Sequence, residues 1–244
     1  MTLLNNEGNQ TNPVKEILIV DDHPIVRAGL CQLVSQQSDL RVCGQMASSD
    51  EASMFLKNER ADLVLLDLMI KNGCGFELLK QWCTAYPEMK VLVVSMHDEE
   101  LYAERVLRSG GHGYVMKHEA TDILVAAVRK VFSDQIYLSP PMEIKLMHLL
   151  MHTKRNPPKS EMETLTDREL QVFHFMGMGW KMARIAEEMR IRVKTVETHR
   201  EHIKAKFGAV SASALAQRAC EWVQSQEINK PQEQQANSFP ENGG

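Results

Sequence analysis

Ile17-Leu18-Ile19-Val20-Asp21-Asp22 sets four apolar residues in an unbroken row and closes them with two carboxylates. A row without polar alternation is how a strand reads when both of its faces are buried. Similar runs follow at Arg41–Gly44, Leu63–Leu66, Val91–Val94 and Gly113–Met116. Amphipathic stretches lie between and after them: Ile25–Val34, Glu51–Asn58, Phe76–Tyr86, Glu99–Arg108 and Asp122–Phe132. Strand then helix, five times over, predicts a parallel sheet with helices on both faces. Right-handed crossovers leave few topologies open. All strands then point one way, and whatever follows them gathers along one edge. Ligands bind at that edge where the strand order reverses.

The residues at those strand ends carry chemistry. Asp21 and Asp22 follow the first run, Asp67 the third, Ser95 the fourth and Lys117 the fifth. Taken singly, an aspartate or serine after a strand is most often a turn or cap residue, and a lysine a solvated charge. Taken together, each on a different strand, they form a set. Neighbouring strands lie about 4.8 Å apart, so if the first and third are neighbours the carboxylates share one crevice. Like charges that close require a cation. Oxygen ligands suit Mg²⁺. A carboxylate can also attack phosphorus and form an acyl phosphate, while a hydroxyl and an ammonium meet the arriving phosphoryl oxygens.

Asp21-Asp22-His23-Pro24-Ile25-Val26-Arg27-Ala28-Gly29-Leu30 resembles the opening of the receiver domains of NarL/FixJ-type bacterial response regulators. Val64-Leu65-Leu66-Asp67-Leu68 resembles the phosphoacceptor strand, and Gly113-Tyr114-Val115-Met116-Lys117 the last strand with its switch aromatic and lysine. The resemblance implies that Asp67 accepts phosphate from a sensor histidine kinase. It implies Mg²⁺ held by Asp22 and Asp67, by Asp21 through water and by the backbone carbonyl of Met69. Ser95 and Lys117 would bind the phosphoryl group, and Tyr114 would swing inward on activation. One position departs from the pattern: Lys71 stands where the family usually has proline. Proline would fix φ and stiffen the loop; lysine does not.

A second constellation lies towards the C-terminus. Thr166 and Glu169 have the spacing of a capping box, with Leu165 and Leu170 as its hydrophobic staple. A short helix over Met182–Met189, a turn at Arg190-Ile191-Arg192 and a helix over Val193–Phe207 follow. At helical spacing Val193, Val196, Ile203 and Phe207 form a stripe expected to be buried. Lys194, Thr198 and Glu201 lie opposite, flanked by Thr195, Glu197 and His202. Residues 181–206 hold eight basic and four acidic side chains, in a chain of net charge −4. Two short helices, a tight turn and local positive charge predict a helix-turn-helix with its second helix in the major groove. A charged helix face read alone is more often merely solvated.

Leu165-Thr166-Asp167-Arg168-Glu169, Lys194-Thr195-Val196-Glu197-Thr198-His199-Arg200 and Ile203-Lys204-Ala205-Lys206-Phe207-Gly208 resemble the LuxR-type DNA-binding domain. The implied partner is double-stranded promoter DNA, with Lys181, Arg192, Lys194, Thr195, Glu197, Thr198, Glu201, His202 and Lys204 as candidate contacts. Lys181 and Arg192 replace the serines that often open the family's two short helices. Activation would expose the recognition helix or promote pairing into a homodimer. The apolar residues of Ala212–Val223 are a candidate pairing surface, or simply close the small domain's core.

The expected architecture is α/β: a five-stranded doubly wound parallel sheet of the flavodoxin/CheY kind, then a small all-α helix-turn-helix domain. The expected boundaries are a disordered 1–14, a receiver over 15–133, a linker over 134–163 with a possible short helix, the DNA-binding domain over 164–226 and a disordered tail over 227–244. Of 244 residues 43% are hydrophobic and 25% charged, the balance of a globular chain. No apolar run approaches the ~18 residues of a membrane span, and the first 15 residues lack the apolar core of a secretory signal. Five cysteines without CxxC spacing fit reduced thiols in the cytoplasm. The expected function is a phosphorylation-controlled transcription factor, not an enzyme beyond its own phosphoryl transfer. The alternative is a phosphorylation-independent DNA- or protein-binding adaptor with a degenerate receiver. A hydrolase built on the same metal site lacks any substrate-pocket signature.

Overall fold

The computed structural model describes residues 13–71, 73–151 and 160–228. The first twelve residues, the tail from 229 and Pro157 and Pro158 of the linker lie outside them. The sheet runs β1 (Lys15–Val20), β2 (Leu40–Met46), β3 (Leu63–Leu66), β4 (Lys90–Ser95) and β5 (Gly113–Met116), all parallel, in the order β2-β1-β3-β4-β5. The order reverses at β1, which pairs with both β2 and β3. Register sets Val20 opposite Leu66, and the Asp67 N–H donates to the Val20 carbonyl at 2.9 Å. Asp21 and Asp67 therefore emerge side by side.

Period two divides each strand between two cores. Ile17, Ile19, Leu63, Leu65, Leu92 and Val94 meet α1 (Pro24–Ser35) and α5 (Ala120–Phe132). Leu18, Val20, Val64, Leu66, Val91 and Val93 face α2 (Ser49–Asn58), α3 (Gly75–Ala85) and α4 (Glu99–Arg108). The sequence ranges missed these elements' ends by one or two residues only. At Gly75 an added Cβ would lie 2.5 Å from the Leu68 Cα, so glycine lets α3 start hard against the loop after β3.

The linker does contain a helix, α6 (Pro140–Met151), tied to the receiver by Lys130–Glu143 and Lys145–Glu100 ion pairs. A 3₁₀ turn (Glu161–Thr164) leads into α7 (Asp167–Gly177), α8 (Met182–Glu188), α9 (Val193–Lys206) and α10 (Ala212–Ile228). The Thr166–Glu169 capping box forms, with Leu165 and Leu170 both buried. Phe173 of α7 packs edge-on to Phe207 and tilts against Trp222 of α10. Leu215 and Ala219 are fully buried there, so the apolar face of α10 closes the small domain's core and is not a free pairing surface. Val193 also departs from expectation: it is 42% exposed while Val196, Ile203 and Phe207 are buried. As the first residue of α9 it precedes the turn that reaches the core.

The helical unit rests on the α2–α4 side of the receiver. Arg168 of α7 makes a forked pair with Glu77 of α3. Asp167 takes Lys80 at 2.9 Å and Arg105 at 3.1 Å. Arg190, at the positive-φ turn between α8 and α9, pairs with Asp50 of α2. Gln171 donates to the Gly73 carbonyl at 3.1 Å.

Candidate functional site: an acid pocket and an exposed recognition helix

The strand ends bring Asp21, Asp22 and Asp67 together. One carboxylate oxygen from each, with the His23 Nδ1, lies within 4.8 Å of all the others. Asp21 and Asp67 are 1% and 3% exposed. The Lys117 ammonium reaches 2.7 Å from Asp67 Oδ2 and 2.7 Å from Asp21 Oδ2, its side chain itself only 3% exposed. Burial pulls that ammonium's pKa down, but Asp67 and Asp21 outweigh it and hold the pKa above the ordinary lysine value. Lys117 is therefore charged and neutralises part of the cluster. Asp22 sits at the rim. Burial, then the Asp67 and Asp21 charges, push its pKa up against the pull of His23 and Lys71.

An excess of negative charge remains, three carboxylates against one buried ammonium. Asp22 Oδ1 is buried and accepts no hydrogen bond among the described residues, although the His23 Nδ1 stands 2.8 Å away. Three hard carboxylates converging on one spot suit a small divalent cation with oxygen ligands. The donor set fits the group that the sequence called for.

Ser95, the last residue of β4, is fully buried and accepts from the His97 N–H at 3.4 Å. Tyr114 is 1% exposed. Its phenol donates to the His97 carbonyl at 2.8 Å, bonds with the Ser95 side chain and has its pKa raised, chiefly by burial. The aromatic side chain thus already lies inward, where the sequence reading had it arriving only on activation. Met69 presents its N–H to Asp67 Oδ1 at 3.3 Å.

Two members of the pocket were missed. His23 was given no part in the pocket from the sequence, yet its ring lies 3.2 Å from Asp21 Oδ1 and 3.9 Å from Asp67 Oδ2. The signal was the Asp-x-His spacing of an Asx turn, in which the His23 N–H donates to Asp21 Oδ1 at 2.8 Å. Lys71, noted only as a missing proline, places its ammonium 3.9 Å from Asp22 Oδ2.

On α9, Lys194, Thr195, Glu197, Thr198, Glu201 and His202 are exposed, as are Lys181 and Arg192 at the helix starts, while Lys204 is half-buried. The recognition face is exposed to solvent with the helical unit docked on the receiver. Some candidates already have partners: the Thr198 hydroxyl donates to the Lys194 carbonyl at 2.9 Å, Lys204 lies 3.7 Å from Glu201, and His202 lies 3.7 Å from Glu169. Lys181 and Arg192 take N-cap positions with extended backbone and supply no side-chain cap.

Residues 17–129 match the response regulator receiver domain, and residues 163–219 match the luxR family of bacterial regulatory proteins. The oxygen regulatory protein NreC of Staphylococcus carnosus (strain TM300) is 30% identical over 208 residues, covering 84% of this chain and 96% of that protein. Among solved structures, RcsB from Salmonella enterica serovar Typhimurium, bound to promoter P1flhDC in the presence of phosphomimetic BeF3-, aligns with a TM-score of 0.64 at 21% identity, covering 85% of this chain and 99% of that one. A LuxR-family two-component response regulator from Aurantimonas sp. SI85-9A1 aligns with a TM-score of 0.53 at 25% identity, over 57% of this chain and 99% of that one. The likeness to RcsB is one of fold; the two family matches in this order and the near-full-length relative go further. The chain belongs to the two-component response regulators, transcription regulators that join a receiver to a LuxR-type DNA-binding domain.

Proposed function

We propose that Asp67 is the phosphoryl acceptor and that its phosphorylation by a sensor histidine kinase controls how the chain binds promoter DNA. The observation that carries this reading is the Lys117 ammonium, 2.7 Å from both Asp67 and Asp21 at the point where the strand order reverses. The Lys117 ammonium, held against the Asp67 carboxylate, fixes the position of the nucleophile. An Asp67 oxygen attacks phosphorus on a phosphohistidine; the P–O bond forms as the P–N bond breaks, and the imidazole leaves with a proton. Lys117 and the Ser95 hydroxyl then meet the phosphoryl oxygens. Mg²⁺, when bound, neutralises charge on the transferring group; Asp22, Asp67, the Met69 carbonyl and, through water, Asp21 would hold it.

Lys181, Arg192, Lys194 and Lys204 supply phosphate contacts, and Thr195, Glu197, Thr198, Glu201 and His202 face base edges. Since the recognition face is already exposed, phosphorylation acts by changing how two copies pair on DNA, as a homodimer in the phosphorylated state. No helix among the described residues is long and apolar enough to cross a membrane, and five free cysteines accord with the reducing cytoplasm.

Incubation with labelled acetyl phosphate and Mg²⁺ tests the acceptor. The wild-type chain should take label and Asp67→Asn should take none; label retained by Asp67→Asn removes the assignment. Lys71 beside Asp22 favours a second reading, in which the pocket balances its charge without metal and the receiver serves as an adaptor. A wild-type chain that stays unlabelled would select that reading.

A further inference from the structure

His97 lies just beyond the buried Ser95, on the loop between β4 and α4, and is itself 8% exposed. Its ring stacks on Tyr102 of α4, with centroids 5.0 Å apart. On its other side it meets His174 of α7 edge-on at 4.6 Å. His174 in turn abuts Trp222 of α10, ring to ring at 6.0 Å. An unbroken row of rings therefore crosses from the receiver into the core of the DNA-binding unit. The row starts on the peptide whose carbonyl receives the Tyr114 hydroxyl. Beside it the Asp98 N–H, at the start of α4, donates to Gln226 of α10.

We propose that the His97–His174 contact is an acid-sensitive latch that holds the DNA-binding helices on the receiver, so that a proton and the Tyr114 switch act on the same loop.

The physical reason is what His174 faces. Its neighbours are His97 and, behind it, Tyr102 from the receiver, Phe175 on its own helix and Trp222 from α10. The charged groups along the same boundary, Arg105 with Asp167 and the Asp98 side chain on the Glu100 N–H, are already bonded to one another or to backbone. Among the described residues no carboxylate acts on the His174 ring to stabilise an imidazolium. Burial first, and then the charge His97 would carry, lower its pKa to about 3. Released from the receiver, the ring loses the His97 contact and part of its cover, and its pKa rises towards the ordinary 6.5. The undocked state then binds more protons, so docking is favoured above pH 6.5 and weakens as pH falls from there towards 3. Between pH 7.5 and 5.5 the docking constant should fall by up to about tenfold.

The test uses the full chain with no phosphoryl donor, so its result is independent of whether Asp67 is an acceptor. The His174 ring resonance, followed by nuclear magnetic resonance from pH 8 to 4, should titrate well below 6.5. Glu77→Lys sets a positive charge against Arg168 and Lys80 on the docking face and leaves both cores intact; it should raise the His174 midpoint towards 6.5. In the same background, small-angle scattering should report expansion between pH 7.5 and 5.5, and adding His174→Phe should remove that pH dependence. A wild-type midpoint near 6.5 overturns the proposal. So does a depressed midpoint that Glu77→Lys leaves unmoved, because the burial would then belong to the small domain alone. Both of these readouts stand without the His174→Phe variant if it fails to fold.

Discussion

In the acid pocket Asp21, Asp67 and Lys117 are buried and paired at 2.7 Å, with Asp22 and Lys71 3.9 Å apart at its rim; on α9 most of the candidate DNA contacts stand in water. On the function proposed above, the two regions would answer to different ligands. A phosphoryl group and a small cation demand fixed geometry, which strand ends in a parallel sheet supply. A DNA backbone is long and strongly charged, and side chains that read it gain from remaining free to adjust. The pocket therefore incurs desolvation, whereas α8 and α9 incur a local cost of another kind: basic residues occupy their N-caps and provide no cap.

The sharpest way to break this contrast is to remove the cation at the centre of the pocket. Lys117→Met strands Asp21 and Asp67 with no ammonium in a site where each is almost wholly buried. Removing one partner of a buried ion pair costs about 3 kcal/mol. Urea unfolding of the metal-free receiver should show a loss of that order. Mg²⁺ should restore part of it, because the carboxylates regain a counter-charge. Asp22→Asn should move the other way: its carboxyl has a raised pKa in the folded state, so its ionised form is destabilising, and that destabilisation is complete above the folded pKa and absent below the unfolded one. At neutral pH Asp22→Asn should raise the metal-free unfolding midpoint and abolish the further gain from Mg²⁺. If Lys117→Met proves as stable as wild type without metal, the pocket is no more constrained than the surface of α9.

Next in size is the packing that compensates for the missing caps. Gly177, at the end of α7, lies so close to α10 that an added Cβ would stand 2.4 Å from the Ala219 carbonyl oxygen and 2.4 Å from Val223 Cγ2. Gly177→Ala should destabilise the DNA-binding unit by about 2 kcal/mol, the usual scale of overpacking. Thermal unfolding should show that loss with the receiver transition unmoved. A neutral result would mean that α7 and α10 do not hold the unit's shape.

The contrast also explains what the sequence made legible. Strands buried on both faces leave an unmistakable apolar run, so the residues at their ends could be placed to within one or two positions; Asp21, Asp22, Asp67 and Lys117 gather in one pocket, and Ser95 is buried at the end of β4. The buried stripe of α9 was legible from its period, except Val193, because period says nothing of where a helix leaves the core. His23 and Lys71 escaped for a different reason: their part in the pocket depends on side-chain reach from a turn and a loop, not on strand register. The docking of the two units was wholly hidden. Arg168 finds Glu77 across 91 positions and Arg190 finds Asp50 across 140, and no local pattern marks an arginine for one distant carboxylate over another. The apolar face of α10 was ambiguous by nature, since a core face and a pairing face share one composition.

The smallest expected effect bears most directly on the difference between the two regions. Arg192 holds the N-cap of α9 with extended backbone, the conformation in which serine accepts from the helix's orphan N–H groups, but its guanidinium makes no cap. Arg192→Ser should therefore stabilise the DNA-binding unit by about 1 kcal/mol, visible as a higher thermal midpoint. If Arg192 was kept for a phosphate, the same substitution should weaken DNA binding and reduce the slope of log affinity against log salt by about 0.9, the value of one lost phosphate contact on duplex DNA. Gains in stability and losses in salt dependence must appear together. A more stable variant with an unchanged slope would mean that Arg192 touches no phosphate, and that the missing cap on α9 serves nothing in DNA recognition. The two regions would then differ in exposure alone and not in the kind of ligand each was built to hold.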